Sequence, residues 1–576
     1  MRKKVLFIST LSLLMNVYVQ AQNTYFTGHG RSLFTYDDMT DEVQSNSKQA
    51  ASSGYTMYDF GVHAENKGLV RASAILRIRN EFGGFYADGA SMDIRQVQIE
   101  GVIANRVKYE VGDMYLSQTP YTIWNFDESF IKYESDIFGI RRNIVNYENY
   151  FIDNKWRMQG VNAYTTLEFM KGIKSLYIQG YGSRILPSDL LEIPDRFLYG
   201  GKLGIEQSSA FKLSGNVVGI SDFTGTVSSA NVDFDNKVYT GDCKYSYDKI
   251  TGYSFALLGE AGFSKTSLRE DVSSIDKTKQ DYFYDAGLQI QAHKKVQSIF
   301  TFKYRDVGPY FTSPAAQTRR IIENSTEYAL EVFPNFSDGT SLRSMTLLDR
   351  MSQETGLYNG SISPLLLPYL PQYNSAEPYG KATPNRTGST VALGFADSAR
   401  IVSVNAEANM LSEIFAEGDT TTSKLRSFTC VHGGLTYQAG KQFGLPKDVT
   451  LKCGGKLEQT QRDGAVPIDL QCITADVGVS VETIKNLHLL VGLKYLQANG
   501  NEALVVRNRF NEATSGVTKF TIDSQEQLLG LGFKYAFANS VFLSTQYILG
   551  TYTDNTANNK NSFDTRQWFV NFNYSF

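Results

Sequence analysis

From Arg566 to Phe576 the chain alternates with a period of two. Trp568, Val570, Phe572, Tyr574 and Phe576 fall on one face, and Gln567, Phe569, Asn571, Asn573 and Ser575 fall on the other, mostly polar one. Successive side chains of a β-strand point to opposite sides, so this segment is predicted to be a strand with one apolar, largely aromatic face. A face of that kind has to meet lipid or a packed core, and aromatic residues suit the interfacial girdles of a membrane barrel.

The pattern recurs along the whole chain. Val541, Leu543, Thr545, Tyr547 and Leu549 form one face of the preceding segment; before it Leu529, Leu531, Phe533, Tyr535 and Phe537 alternate with Leu528, Gly530, Gly532, Lys534 and Ala536. Val402, Val404, Ala406, Ala408 and Met410 oppose Ser403, Asn405, Glu407 and Asn409. Around Met92 to Val102 the phase slips, as a β-bulge would make it do. Links between the segments alternate in length. Short ones are expected at Ala538-Asn539, Lys485-Asn486, Asp397 to Ala399, His293 to Lys295 and Ser208-Ser209, and longer polar ones at Asp554 to Ser562, Ala498 to Asp523, Glu413 to Lys424, Lys265 to Lys279 and Leu186 to Asp195. Short turns at one end and long loops at the other organise transmembrane β-barrels. The expected fold is therefore all-β: a transmembrane antiparallel up-and-down β-barrel of about 20–22 strands with both termini at the short-turn side.

The N-terminus fits that reading. Met1-Arg2-Lys3-Lys4 is basic, Val5 to Val19 is apolar with a few polar interruptions, and Val19-Gln20-Ala21 is a small-residue cleavage pattern. Residues 1–21 are expected to be a secretory signal peptide and residues 22–576 a single barrel. No later run reaches the roughly 18 apolar residues of a spanning helix. Tyr (35), Phe (36) and Gly (48) are abundant, Pro is scarce at 13, and the formal charge is −3, which suggests no nucleic-acid partner. Strand patterning begins soon after the expected cleavage site, leaving no room for an N-terminal plug domain.

Two links stand out by length, Ser117 to Arg157 and Gly308 to Asn385. Structureless links this long are usually functional or folded inward. The second includes a possible short helix around Ser341 to Thr355 and then Leu365, Leu366, Leu367, Tyr369 and Leu370 among prolines. That apolar stretch is expected to plug the lumen, to dock a partner, or to pack within its own loop.

No catalytic or metal-binding pattern is present. The five histidines stand in no HExxH or HxxE arrangement, and no GxSxG, P-loop or CxxC occurs. No enzyme activity, cofactor or metal is expected. Cys243 and Cys453 fall on lipid faces and Cys430 and Cys472 on lumen faces; the last pair would be about 10 Å apart across an intervening strand, so four free thiols are expected. Function should lie in the lumen. Inward candidates are Arg77, Arg79, Arg106, Lys108, Glu110, Lys303, Arg305, Glu407, Lys452, Lys456, Glu458 and Lys494, with Asp476 and Glu482 beside them. Either they set a solute preference, or they solvate the interior and pair with one another and with inserted loops.

The C-terminal alternation, with Trp568, Phe572, Tyr574 and the terminal Phe576, resembles the assembly-signal strand that the barrel-assembly machinery recognises in outer-membrane proteins. Together with the cleavage region ending Ala21-Gln22 and the chain length, it resembles porin-like outer-membrane barrel proteins of Bacteroidota. A further similarity, to an uncharacterised barrel family of that phylum, rests on Gly112-Asp113-Met114-Tyr115 leading into a long loop; its later Gly-x-Gly and Leu-Arg elements are absent, and no functional residues carry over. The resemblance implies an outer-membrane location, lipid and the assembly machinery as partners, and possible protein or lipoprotein partners. Two functions stay open: a porin-like channel for small solutes with loops constricting its lumen, or a non-conducting barrel subunit of a larger export or biogenesis assembly.

Overall fold

The computed structural model describes residues 23–41, 48–82, 89–125, 129–148, 150–228, 232–270, 275–293, 296–317, 362, 366, 369, 371–417, 424–507, 512–556 and 561–576. The expected signal peptide, the possible helix at 341–355, and Leu365, Leu367 and Leu370 lie outside them.

The described residues form one 22-stranded antiparallel sheet. Its strands are β1 (Asn23–Asp41), β2 (Lys48–Asn66), β3 (Val70–Glu81), β4 (Ser91–Ile103), β5 (Val107–Leu116), β6 (Trp156–Glu168), β7 (Ser175–Leu186) and β8 (Asp195–Glu206). There follow β9 (Phe211–Phe223), β10 (Val232–Ile250), β11 (Tyr253–Glu270), β12 (Ile275–His293), β13 (Val296–Val307), β14 (Arg386–Asp397) and β15 (Val402–Ser412). The last are β16 (Ser427–Gln438), β17 (Val449–Arg462), β18 (Ile468–Ile484), β19 (Leu487–Arg507), β20 (Ala513–Ala538), β21 (Val541–Asp554) and β22 (Asn561–Ser575). Each strand pairs with its sequence neighbours. The first pairs with the last, His29 opposite Ser575 and Asp41 opposite Phe563, so the sheet closes without an edge. This is the expected transmembrane β-barrel, at the upper end of the expected strand count.

The start of β1, the end of β22 and the short turns share one end. There β18 joins β19 through Lys485 and Asn486, and β20 joins β21 through Asn539 and Ser540. The opposite end carries the long links 117–155 and 308–385. Two links are shorter than the sequence suggests, because β19 and β20 run on to Arg507 and from Ala513, and β11 and β12 run on to Glu270 and from Ile275. Beyond the bilayer neither face of a strand has to be apolar, so alternation fades while the backbone ladder continues.

Alternation sorts the walls. Phe34, Ile94, Leu257, Leu493, Leu531 and Trp568 face outward and are exposed, as are Phe572, Tyr574 and Phe576. Inward residues are polar where they meet water or another charge: Arg31, Asp59, Glu458, Asp476 and Lys494 are all buried. All four cysteines are free, Cys243 exposed on the outside and Cys430 and Cys472 buried. One expected lumen residue is misplaced. Arg106 lies in the exposed turn between β4 and β5, its backbone N–H donating to Ile103 O at 3.0 Å, so it lines no lumen. A phase count cannot tell the last strand residue from the first turn residue.

The phase slip is a real bulge. In the β3–β4 ladder Ile75 faces Gln96 and Leu76 faces Ile94, so Arg95 is the extra residue. The bulge turns that guanidinium inward, where it is 7% exposed. Next to it, Gly112 has φ +98°, and a Cβ there would lie 2.3 Å from Val97 O. The carboxylate of Asp113 then accepts the Val97 N–H at 2.7 Å and pairs with Arg157 at 2.6 Å. A side chain thus replaces the ladder bond where β5 turns away into link 117–155.

Candidate functional site: a lumen closed by its own links

A 22-stranded barrel is too wide for wall side chains to fill. Here the described parts of the two long links fold inward. The first carries a 3₁₀ turn, Ser129–Tyr133, and helix α1, Asp136–Glu148. Ile137, Ile140 and Ile144, with Phe138 beside them, make a stripe at helical spacing. The stripe packs against Leu33, Met57, Leu490, Leu528, Ile548 and Phe569 of the inner wall. From Arg566 onward, Phe569 is the one apolar residue on the polar face of β22. Its place in this cluster, fully buried, explains it.

Helix α1 comes close to the wall because the wall is glycine there. Gly478, Gly492 and Gly530 face one another in one register row of β18, β19 and β20. A Cβ on Gly478 would lie 2.2 Å from Ser135 Cβ, on Gly492 2.6 Å from Ile137 Cγ2, and on Gly530 2.8 Å from Ile137 Cδ1. Gly434 likewise leaves room for the Tyr133 ring.

Charges fix both ends of the helix. At its start, Arg142 donates to Glu134 at 2.9 Å, Lys494 also pairs with Glu134, and Lys452 meets Asp136 at 2.7 Å. Asp476 accepts the Ser135 N–H at 3.1 Å. Burial alone would raise the Glu134 carboxyl, but Lys494 and Arg142 hold it well below the usual carboxylate range. At the far end Glu148 takes Arg31 and Arg77, each at 2.5 Å, and Arg77 also binds Asp59 at 2.7 Å. The Tyr147 hydroxyl donates to Asp59, and burial pushes that phenol well up, keeping it a donor. The bulged Arg95 lies 4.1 Å over the Tyr147 ring and 4.2 Å over Tyr150.

The second link covers the other walls. Ala315 O accepts the Trp156 indole N–H at 2.8 Å, and Ser313 Oγ donates to Tyr121 O at 2.8 Å, tying the two links together. Tyr121 stacks on Phe283 at 4.0 Å and donates to Asp285 at 2.9 Å. Further on, Glu458 accepts the backbone N–H groups of Ser375 (2.6 Å) and Ala376, and Lys456 donates to Tyr373 O. Arg305 pairs with Glu377 at 2.5 Å, and Lys381 with Glu407 at 2.6 Å. Replacing Glu458 by Ala leaves these two buried N–H groups without their acceptor, at about 1–3 kcal/mol each. We expect limited proteolysis of Glu458→Ala to cut within 371–385 at least tenfold faster than in the parent, with the barrel intact.

Of the expected lumen residues, Arg77, Arg305, Glu407, Lys452, Lys456, Glu458 and Lys494 thus bind the inserted links directly. Arg79 pairs with Glu81 at 2.5 Å and lies over Tyr55, and Lys303 pairs with Asp285 at 3.1 Å. Lys108 and Glu110 sit apart near the short-turn mouth, with Tyr164 of β6 opposite Lys108. Of the apolar stretch, Tyr369 packs edge-on to Tyr379 at 5.9 Å, and Leu366 is half-buried. The sequence reading missed Arg31, Asp59, Arg95, Glu134, Glu148 and Glu377. The isoleucine spacing of α1 and the aligned wall glycines were the available signals.

Below α1, at the short-turn mouth, a cavity of about 700 Å³ remains. One side is the free face of α1, with Asp136, Gly139, Asn143 and Asn146; the other is the ends of β17 to β20, with Asp448, Lys452, His488 and Lys534.

The sequence matches no family model and no curated protein. Among solved structures it is similar to OccAB4 of Acinetobacter baumannii (8% identity, TM-score 0.30, 95% of this chain and 98% of that one). It is also similar to OpdL of Pseudomonas aeruginosa (9%, TM-score 0.32, 96% and 99%) and to the ferric citrate transporter FecA in its unliganded form (7%, TM-score 0.45, 94% and 78%). The barrel assignment rests on the closed ladder itself.

Proposed function

We propose that the protein is an outer-membrane channel of narrow bore for small solutes, its lumen constricted by links 117–155 and 308–385. One observation carries this reading: both links are clamped to the inner wall by buried charge pairs while a polar cavity stays open at one mouth. The Ala21-Gln22 cleavage pattern and the aromatic C-terminal strand support export and assembly in an outer membrane, of the Bacteroidota kind that the sequence resembles. In planar bilayers we expect steady openings far smaller than those of a variant lacking residues 119–154. A parent conductance equal to that of the variant would refute the constriction.

The clamps set the pH response. Glu134 and Glu377 are both held below the usual carboxylate range despite burial, Glu377 by Arg305 and Lys381. Their contribution is complete above the unfolded value of about 4.3 and is lost only as pH falls through the depressed native value. Conductance should therefore stay flat from pH 8 to pH 5 and rise only in stronger acid. A rise between pH 7 and pH 5 would contradict this assignment.

A second reading, a non-conducting subunit of a larger assembly, draws on one feature of the long-loop end. Leu190, Leu191 and Ile193 are exposed on a tip held rigid by Asp189, which accepts three backbone N–H groups at 2.8–2.9 Å. Absence of conductance together with a stoichiometric partner in native purification would favour it.

A further inference from the structure

The cavity at the short-turn mouth is built for a ligand that carries two opposite charges. Some of its charges already neutralise one another: Glu134 with Arg142, and Asp136 with Lys452. Among the described residues four charged groups that line the cavity make no ion pair: Lys132 and Asp153 on the first link, and Asp448 and Lys534 on the barrel wall, where they set the axis of the site. Their positions follow from the register. Asp448 is bonded through its backbone to Glu482, Glu482 faces His488, and His488 faces Lys534. Acid therefore lies at the β17 side and base at the β20 side. Three strand spacings of about 4.8 Å put the two ends roughly 14 Å apart. Between them Thr450, Ser480 and the Asn143 and Asn146 amides offer neutral donors and acceptors, and Leu490 an apolar spot.

Gly139 supplies a second, independent observation. It lies inside α1, where glycine is less favourable than alanine. A Cβ there would meet nothing within 4 Å, so no close packing demands the glycine. The space it leaves clear is the cavity.

We propose that this cavity binds a short peptide with free termini, three or four residues long, its ammonium toward Asp448 and its carboxylate toward Lys534. An extended chain of four residues spans about 13 Å, which matches the separation. The volume is that of a small-molecule site. The proposal builds on the channel reading by naming the class of solute admitted at this mouth.

The test is titration calorimetry of the full-length protein in detergent with trialanine and tetra-alanine. Saturable binding is expected, weakened at least tenfold by N-acetylation or by C-terminal amidation. Asp448→Asn should weaken the free peptide and leave the N-acetylated one unchanged; Lys534→Gln should do the same with respect to the amidated one. Gly139→Phe should abolish binding, with the folded barrel checked by its heat-dependent gel mobility. No saturable binding, equal binding of capped peptides, or tighter binding of maltotriose would overturn the proposal. Conductance without peptide binding removes this inference and leaves the channel reading; binding without conductance does the reverse.

Discussion

Replacing Gly478 and Gly492 together by leucine should raise single-channel conductance several-fold while the barrel still forms. The two glycines let Ser135 and Ile137 approach the wall, and any side chain there would overlap them. A leucine is far too large to be absorbed by a small shift, and overpacking of this kind costs about 1–3 kcal/mol per site. The strands can keep their ladder, since both substitutions project into the lumen. What yields is the start of α1, and with it the contacts of Glu134 to Lys494 and of Asp476 to the Ser135 N–H. Bilayer recordings beside a heat-mobility assay separate the outcomes. An intact barrel with parental conductance would mean that α1 does not limit the pore.

The second large effect is expected at the other end of the helix. Glu148→Ala removes the shared carboxylate of Arg31 and Arg77, whose side chains are 2% and 12% exposed. Arg31, Arg77 and Arg95 then crowd around Asp59 and the Tyr147 ring. Breaking a buried pair by deleting one partner costs about 3–5 kcal/mol, because the remaining charge stays buried. We expect a clear fall in thermal stability in detergent and rapid proteolysis near residue 150. Glu148→Gln, which keeps an acceptor, should fall between the two. Parental stability of Glu148→Ala would show that these arginines are solvated.

The strands were legible because two different solvents, lipid and water, write the period of two into the sequence. Most links were legible in composition, although those between β11 and β12 and between β19 and β20 came out too long, and a bulge between Met92 and Val102 showed as a lost phase. The lumen contacts were not legible. Lys494 meets Glu134 across 360 positions, and only the closed register puts them side by side. The helix in the first link was readable from Ile137, Ile140 and Ile144, but a loop of mixed composition hid it. Arg106 was misassigned because a turn has no face.

Helix α1 also touches both sides of the seam where the barrel closes. Its apolar stripe rests on Leu33 and Met57 of the first two strands and on Phe563 and Phe569 of the last. The seam itself ends in mutual backbone bonds between Gly28 and Phe576 at 3.0 and 3.1 Å. An element that precedes most of the strands in the chain therefore braces a joint that cannot form until β22 has been made. The helix can dock on the open sheet, which then zips around it, like a hoop fitted before the last stave. In the finished protein, any force that draws the helix out also loosens the joint, so a gain in permeability is expected to come with a loss of mechanical integrity.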